Sequence, residues 1–170
     1  NFIVRKNPIG DNVRALPMLT GLGCQFLCTF CHNVIFKQTH RTLPAKSIIT
    51  EVKRLRDKYN LTEVGFVDEN FFGDRPRFYE LIDLLEKEPL GVQWSSTMRA
   101  SDIREKFLNE NWLKKMYSTG GYYFGIGAES GSPRILRKLK KGISVEHILD
   151  AAKYSVTSGI TFTFSFMAGL

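Results

Sequence analysis

The chain has 170 residues, of which 43% are apolar and 24% charged. These are the proportions of an ordinary globular domain able to bury its own core, and they exclude a disordered tail or a fibrous repeat. The formal net charge of +7 favours anionic partners by long-range attraction, and no apolar run reaches the roughly 20 residues that a membrane span needs.

The lead-in, residues 1–13, opens on Asn1-Phe2-Ile3-Val4-Arg5-Lys6, with neither a signal-peptide core nor an initiating methionine. It reads as the start of a piece of something longer. Arg14 to Thr20 reads as a short strand, and Pro17 places it at an edge or a strand start. Pro44 opens a helix that repeats Ile48, Val52, Leu55 and Tyr59 at helical spacing. Glu63 to Asp68 is a second strand, and Asp74 is the expected N-cap of a helix that buries Phe78, Leu81, Ile82 and Leu85.

The third strand is Val92 to Met98. Helical residues Phe107 to Tyr117 follow and stop at Gly120-Gly121. A fourth strand, Tyr122 to Ile126, leads into Gly127-Ala128-Glu129-Ser130-Gly131, and Ser132-Pro133 caps and starts the next helix. That helix, Arg134 to Lys141, is dense in cations. Ile135, Leu136 and Leu139 recur at core spacing between them, so the charges read as a solvated face, with a phosphate or partner surface as the alternative. It lacks the interleaved aromatics of a single-strand nucleic-acid binder. Ser144 caps a last helix through Tyr154, and Gly159 precedes a fifth strand, Thr161 to Met167. Trp94 and Trp112 read as core, and His32, His40 and His147 as non-ligands.

Five strand-then-helix units in series predict an α/β fold with a parallel sheet, either closing as a barrel or staying open as an arc. In such folds the chemistry gathers at the C-terminal ends of the strands. Here those ends carry the cysteine loop, Asp68-Glu69-Asn70, Ser96 to Arg99, Gly127 to Ser130, and Ala168-Gly169-Leu170.

All three cysteines fall within eight residues, at Cys24, Cys28 and Cys31. A disulfide framework uses an even number of scattered cysteines, so an oxidising compartment is disfavoured and a metal is indicated. The spacing is C-x3-C-x2-C. An iron–sulfur cubane ordinarily takes four thiolates, so three would leave one iron open to an outside ligand. A structural zinc on Cys3His, with His32 as the fourth ligand, is the competing assignment; His32 adjoins Cys31 and is awkwardly placed for it.

The segment Gly23-Cys24-Gln25-Phe26-Leu27-Cys28-Thr29-Phe30-Cys31 resembles the cluster loop of radical S-adenosylmethionine enzymes. The segments 66–71 (FVDENF), 124–131 (FGIGAESG) and 166–170 (FMAGL) are similar to further parts of that family's core, in the same order. They are most like the branch often fused to a cobalamin-binding domain. The resemblance runs from about residue 14 to 170. It implies a partial (β/α) TIM-type barrel, incomplete after about the fifth strand.

The same resemblance implies a 4Fe–4S cluster on Cys24, Cys28 and Cys31, whose open iron is chelated by S-adenosyl-L-methionine. The enzyme would cleave that molecule reductively to a 5′-deoxyadenosyl radical that abstracts hydrogen from an unknown substrate. Phe30 would shield the cluster; its plain reading is a core aromatic. Asp68, Glu69 and Asn70 stand where many members carry Gly-Gly-Glu and bind the methionine amino group, with turn capping as the alternative for Asp68 and Asn70. Glu129 would accept the ribose hydroxyl protons. Ser165 and Met167 would line the adenine, although a strand methionine is also ordinary core. Arg99 would neutralise the methionine carboxylate or pair with a rim acid.

A cytoplasmic setting and a low-potential donor of the flavodoxin or ferredoxin type follow from such a cluster, and cobalamin would come through a domain outside this chain. A chain ending at Leu170 leaves an apolar edge at Phe162, Phe164 and Phe166; it is expected to self-associate, to swap an element with a neighbour or to be a part of a larger ordered protein, and to cleave S-adenosylmethionine weakly or not at all by itself. The competing functions are a non-catalytic iron–sulfur or zinc module and a basic nucleic-acid-binding domain, the latter recognisable by steep salt dependence.

Overall fold

The computed structural model describes residues 13–33 and 39–169; most of the lead-in, and Leu170, lie outside them. The strands are β1 (Ala15–Met18), β2 (Gly21–Leu22), β3 (Arg41–Thr42), β4 (Glu63–Phe66), β5 (Gln93–Met98), β6 (Gly121–Glu129) and β7 (Thr161–Phe166). The α-helices are α1 (Ala45–Tyr59), α2 (Arg75–Lys87), α3 (Glu110–Ser118), α4 (Pro133–Lys138) and α5 (Val145–Thr157). β1, β4, β5, β6 and β7 form one sheet in that order, and every neighbouring pair is parallel. This is the expected α/β architecture, a partial (β/α) barrel. β1 stands at the end of the order, where Pro17 costs no ladder bond on an outer side.

Alternation along the strands sorts the two faces of the sheet. Val64, Phe66, Trp94, Met98, Phe124 and Ile126 share one core with Ile48 and Val52 of α1, Phe78 and Ile82 of α2, and Leu113 and Met116 of α3. The residues between them are small or polar. In register they form cross-strand rows, Gly65–Ser95–Tyr123 and Thr97–Gly125–Thr163. The helices therefore take the apolar face, and the hydroxyl and glycine face is left to the cavity described below.

The caps follow the sequence. The Asp74 side chain accepts from Arg77 N–H, and Ser132 and Ser144 accept from Ile135 and His147 N–H. Four boundaries differ from expectation by three residues, one being the end of the last helix, at Thr157 rather than Tyr154. The third helix starts at Glu110 rather than Phe107, because the Asn109 side chain caps it at Trp112 N–H while Phe107 and Leu108 are buried ahead of it. β6 runs three residues beyond Ile126. The basic helix ends at Lys138, not Lys141. The small antiparallel ribbon of β2 and β3 was not expected.

Gly121 begins β6 where no side chain fits. A Cβ there would stand 2.8 Å from the Met116 carbonyl oxygen and 2.8 Å from the Trp94 ring. Both neighbours are buried, so Gly121→Ala is expected to destabilise the chain by about 1–3 kcal/mol, the usual cost of overpacking. A urea midpoint equal to that of the wild type would count against this packing.

Candidate cofactor site

At the C-terminal ends of the strands lies a cavity of about 310 Å3. The cysteine loop after β2 contributes Cys24, Cys28, Phe30 and Cys31; the turn after β4 contributes Glu69 and Asn70; β5 and the residue after it contribute Thr97, Met98 and Arg99. Gly125, Ile126 and Gly127 of β6, Lys141, and Thr163 and Ser165 of β7 complete the wall.

The cysteine loop is tied down at several points. Cys31 N–H donates to the Cys28 carbonyl at 3.0 Å, and Thr29 N–H donates to the Leu139 carbonyl at 2.9 Å. Gly23 N–H donates to Glu69 Oε2 at 2.6 Å, and the Asn33 amide, buried beneath the loop, donates to the Cys24 carbonyl at 2.7 Å. Two cations clamp the loop's aromatics. The Arg99 guanidinium lies 3.5 Å from the centre of the Phe26 ring, and Lys141 Nζ lies 5.6 Å from that of Phe30.

Burial pushes the Cys24 thiol up, against a backbone hydrogen bond at Phe26 and the Arg99 charge, while Cys28 and Cys31 push it further up. A cation bound at Cys24 would offset that burial and favour its thiolate. Among the described residues no three His, Cys, Asp or Glu side chains converge tightly enough to hold a single metal ion. The three cysteines border the cavity. His32 points its ring to Glu69 Oε1 at 3.7 Å.

The sequence assigned eight further residues to the site. Phe30, Glu69, Asn70, Arg99 and Ser165 line the cavity. Asn70 is held from both sides: its amide donates to Gln25 Oε1 at 2.8 Å, and its carbonyl faces His40 Nε2 at 3.1 Å. Asp68 is not in the lining. Its carboxylate accepts from Thr20 N–H at 2.6 Å and Thr20 Oγ1 at 2.7 Å, with Arg77 Nη1 at 3.5 Å, so its capacity is committed to the scaffold. Met167 is also outside the lining; its N–H donates to the Glu129 carbonyl at 2.9 Å.

Glu129 sits immediately behind the wall. A bulge between Gly127 and Glu129 breaks the β6 register, and Glu129 takes a φ of 60°, a conformation non-glycine residues adopt rarely and at some cost. Its Oε1 accepts from Lys141 Nζ at 2.7 Å, both side chains being nearly buried. Gly127 makes room for this pair: a Cβ there would stand 2.5 Å from Glu129 Oε1 and 2.7 Å from Lys141 Nζ.

Lys141 corrects the reading of the basic run as a solvated face. α4 stops at Lys138, Lys140 turns into the left-handed region at φ 49°, and Gly142 follows at φ 68°. These turns carry Lys141 inward while Arg134, Arg137, Lys138 and Lys140 stay exposed. Thr97 and Gly127 belong to the strand ends expected at the rim, whereas Gly125 and Thr163, which pair in register, were missed. The alternation in Thr161-Phe162-Thr163-Phe164-Ser165 was their visible signal, since it marks a strand with one polar face.

The family model described as the radical SAM superfamily matches residues 18–170. Among curated proteins, the chain is 31% identical over 163 residues to an uncharacterized methyltransferase of Pyrococcus horikoshii, covering 94% of this chain and 34% of that protein. It is 28% identical over 167 residues to the cytidylyl-2-hydroxyethylphosphonate methyltransferase of Streptomyces wedmorensis, covering 97% of this chain and 30% of that one. The chain thus spans about one third of the length of these curated relatives. Among solved structures, the cobalamin-dependent S-adenosylmethionine radical enzyme OxsB with aqua-cobalamin bound superposes with a TM-score of 0.77 at 22% identity, covering 91% of this chain and 24% of that chain. The radical S-adenosylmethionine methyltransferase TsrM from Kitasatospora setae superposes with a TM-score of 0.74 at 13% identity, covering 88% of this chain and 30% of that chain.

Proposed function

Because the chain belongs to the radical SAM superfamily, we propose that Cys24, Cys28 and Cys31 hold a 4Fe–4S cluster beside a bound S-adenosylmethionine, as the core of a radical enzyme. The observation that carries this reading is the meeting of three thiols, two cations and a row of hydroxyls on the wall of one cavity. Bound there and reduced, such a cluster would supply the electron for reductive cleavage of S-adenosylmethionine to a 5′-deoxyadenosyl radical able to abstract hydrogen from a substrate.

The chain's own residues bind and orient. Cys24, Cys28 and Cys31 would hold three irons of such a cluster, and the fourth would be open to the amino and carboxylate groups of S-adenosylmethionine. Lys141 is the cation for that carboxylate: it is an ammonium at the cavity wall, held there by Glu129. Arg99 was expected in this role, but its guanidinium is occupied by Phe26, Cys28 and the Lys141 carbonyl. Glu69 and Asn70 supply oxygens at the β4 end for an ammonium group. Thr97, Thr163 and Ser165 offer hydroxyls along the inner face. Phe30 keeps an apolar wall beside the thiols and limits water there.

A cobalamin domain elsewhere in the full-length protein is supported by the cobalamin-binding enzymes OxsB and TsrM among its fold neighbours and by the methyltransferases among its relatives. The full-length protein reduced by a flavodoxin- or ferredoxin-type donor is the expected working form. The test is anaerobic purification of that protein with iron and sulfide supplied, followed by S-adenosylmethionine and dithionite. A broad visible absorption shoulder and accumulating 5′-deoxyadenosine are expected. Stoichiometric zinc with no sulfide, and no 5′-deoxyadenosine, would overturn the proposal.

A further inference from the structure

We infer that Arg99 is a positioning residue that sets the reduction potential of the cluster, by donating to the Cys28 sulfur and holding a fixed positive charge against the cysteine loop. The inference rests on the cluster reading proposed above. Arg99 stands at the end of β5, only 8% exposed. Its backbone N–H donates to Asp102 Oδ2 at 3.0 Å, and the Asp102 N–H returns to the Arg99 carbonyl at 2.9 Å. This closed turn aims the side chain back over the cavity.

There the guanidinium is spent in three directions. Nη1 lies 3.8 Å from Cys28 Sγ, within hydrogen-bond range for sulfur. Nη2 donates to the Lys141 carbonyl. One face lies on the Phe26 ring, between the first and second cysteines. Its Nε is buried and without a hydrogen-bond partner among the described residues. Among the described residues no carboxylate forms an ion pair with it; Asp102, which accepts from the Arg99 backbone N–H, feels the guanidinium charge only at longer range, and Glu129 is engaged by Lys141. A buried guanidinium without a carboxylate is costly unless another anion compensates it. Cys28 would be that anion once it ligates a cluster, and Nη1 is already directed at its sulfur, so Arg99 and the ligated loop would satisfy each other.

The sign of the effect follows. Reduction adds one negative charge to the cluster. A hydrogen bond to a ligating sulfur and a nearby buried cation both stabilise the more negative state, and so raise the potential. Removing them lowers it.

The experiment is a potentiometric titration of the full-length protein, reconstituted anaerobically with iron and sulfide and followed by the paramagnetic signal of the reduced cluster without S-adenosylmethionine. In Arg99→Gln the reduced-to-oxidised ratio at a fixed ambient potential is expected to fall at least tenfold, a shift of about 59 mV for one electron, with iron and sulfide content retained. Should Arg99→Gln lose iron, Arg99→Lys decides, because it keeps the charge and loses the planar fork; a lowered midpoint supports the role. A midpoint equal to wild type in the iron-retaining variant overturns it and leaves the cluster reading standing. A wild-type protein that takes up no iron and sulfide overturns both.

Discussion

Cys24→Ala, Cys28→Ala and Cys31→Ala are each expected to abolish the visible absorption shoulder and to reduce bound iron from roughly four per chain to a small fraction of that, since a cubane with only two protein thiolates is not retained. The fold should survive these changes. The loop lies outside the five-stranded sheet, and of the three only Cys28 is buried. Far-UV circular dichroism and the urea midpoint therefore stay close to wild type, which separates loss of a ligand from loss of structure. His32→Ala is the control. Its imidazole faces Glu69, so iron content is unchanged if the thiolates alone hold the group, and metal is lost if a Cys3His zinc site is present. Retention of full iron in any cysteine variant would remove that cysteine from the ligand set.

Much of this architecture is local in the sequence, and that part was legible. Ile48, Val52 and Leu55 write the period of a helix, Asp74 and Ser132 write caps, and the five strands come in the order in which they pair. Parallel order among consecutive units follows from crossover geometry. The boundaries failed where burial and helicity separate. Phe107 and Leu108 are fully buried without being helical, and apolarity alone extended the helix over them. β2 and β3 have two residues each, too short for any period to register.

The site divides in the same way. The cysteines announce themselves by spacing, and Glu69, Asn70, Arg99 and Ser165 by standing at strand ends. Lys141 was hidden because a cation in a basic run is ordinarily solvated, and only the two left-handed turns on either side of it reverse its direction. The Glu129–Lys141 and Arg99–Cys28 contacts span 12 and 71 residues. Pairings of that kind belong to the assembled barrel, where strand ends distant in sequence share one rim, and no local pattern encodes them.

Asp68, a strand-end acid that the sequence reads as a cofactor ligand, is held by the scaffold in this structure. Its oxygens take Thr20 N–H and Thr20 Oγ1, and Arg77 stands 3.5 Å away, with side-chain exposures of 4% for Arg77 and 2% for Asp68. Arg77 also donates to the carbonyls of Thr20 and, at 2.6 Å, Phe71, and lies over the Phe71 ring at 4.8 Å. This network joins the end of β1, the end of β4 and α2, directly beneath Glu69 and Asn70 in the chain. Asp68→Ala removes the nearer of the two carboxylates that compensate the buried Arg77 charge, leaving Asp74 alone, and unpairs two Thr20 donors. It is expected to cost about 3–5 kcal/mol, the penalty for breaking a buried pair from one side. Asp68→Asn keeps one acceptor and should cost less. The double variant Asp68→Asn/Arg77→Met should be less unstable than the sum of its single changes, because the second substitution removes the charge that the first one strands. Urea denaturation of the four proteins closes the cycle. A cost below about 1 kcal/mol for Asp68→Ala, the range of an exposed pair, would mean that the carboxylate is solvated and free for a ligand after all.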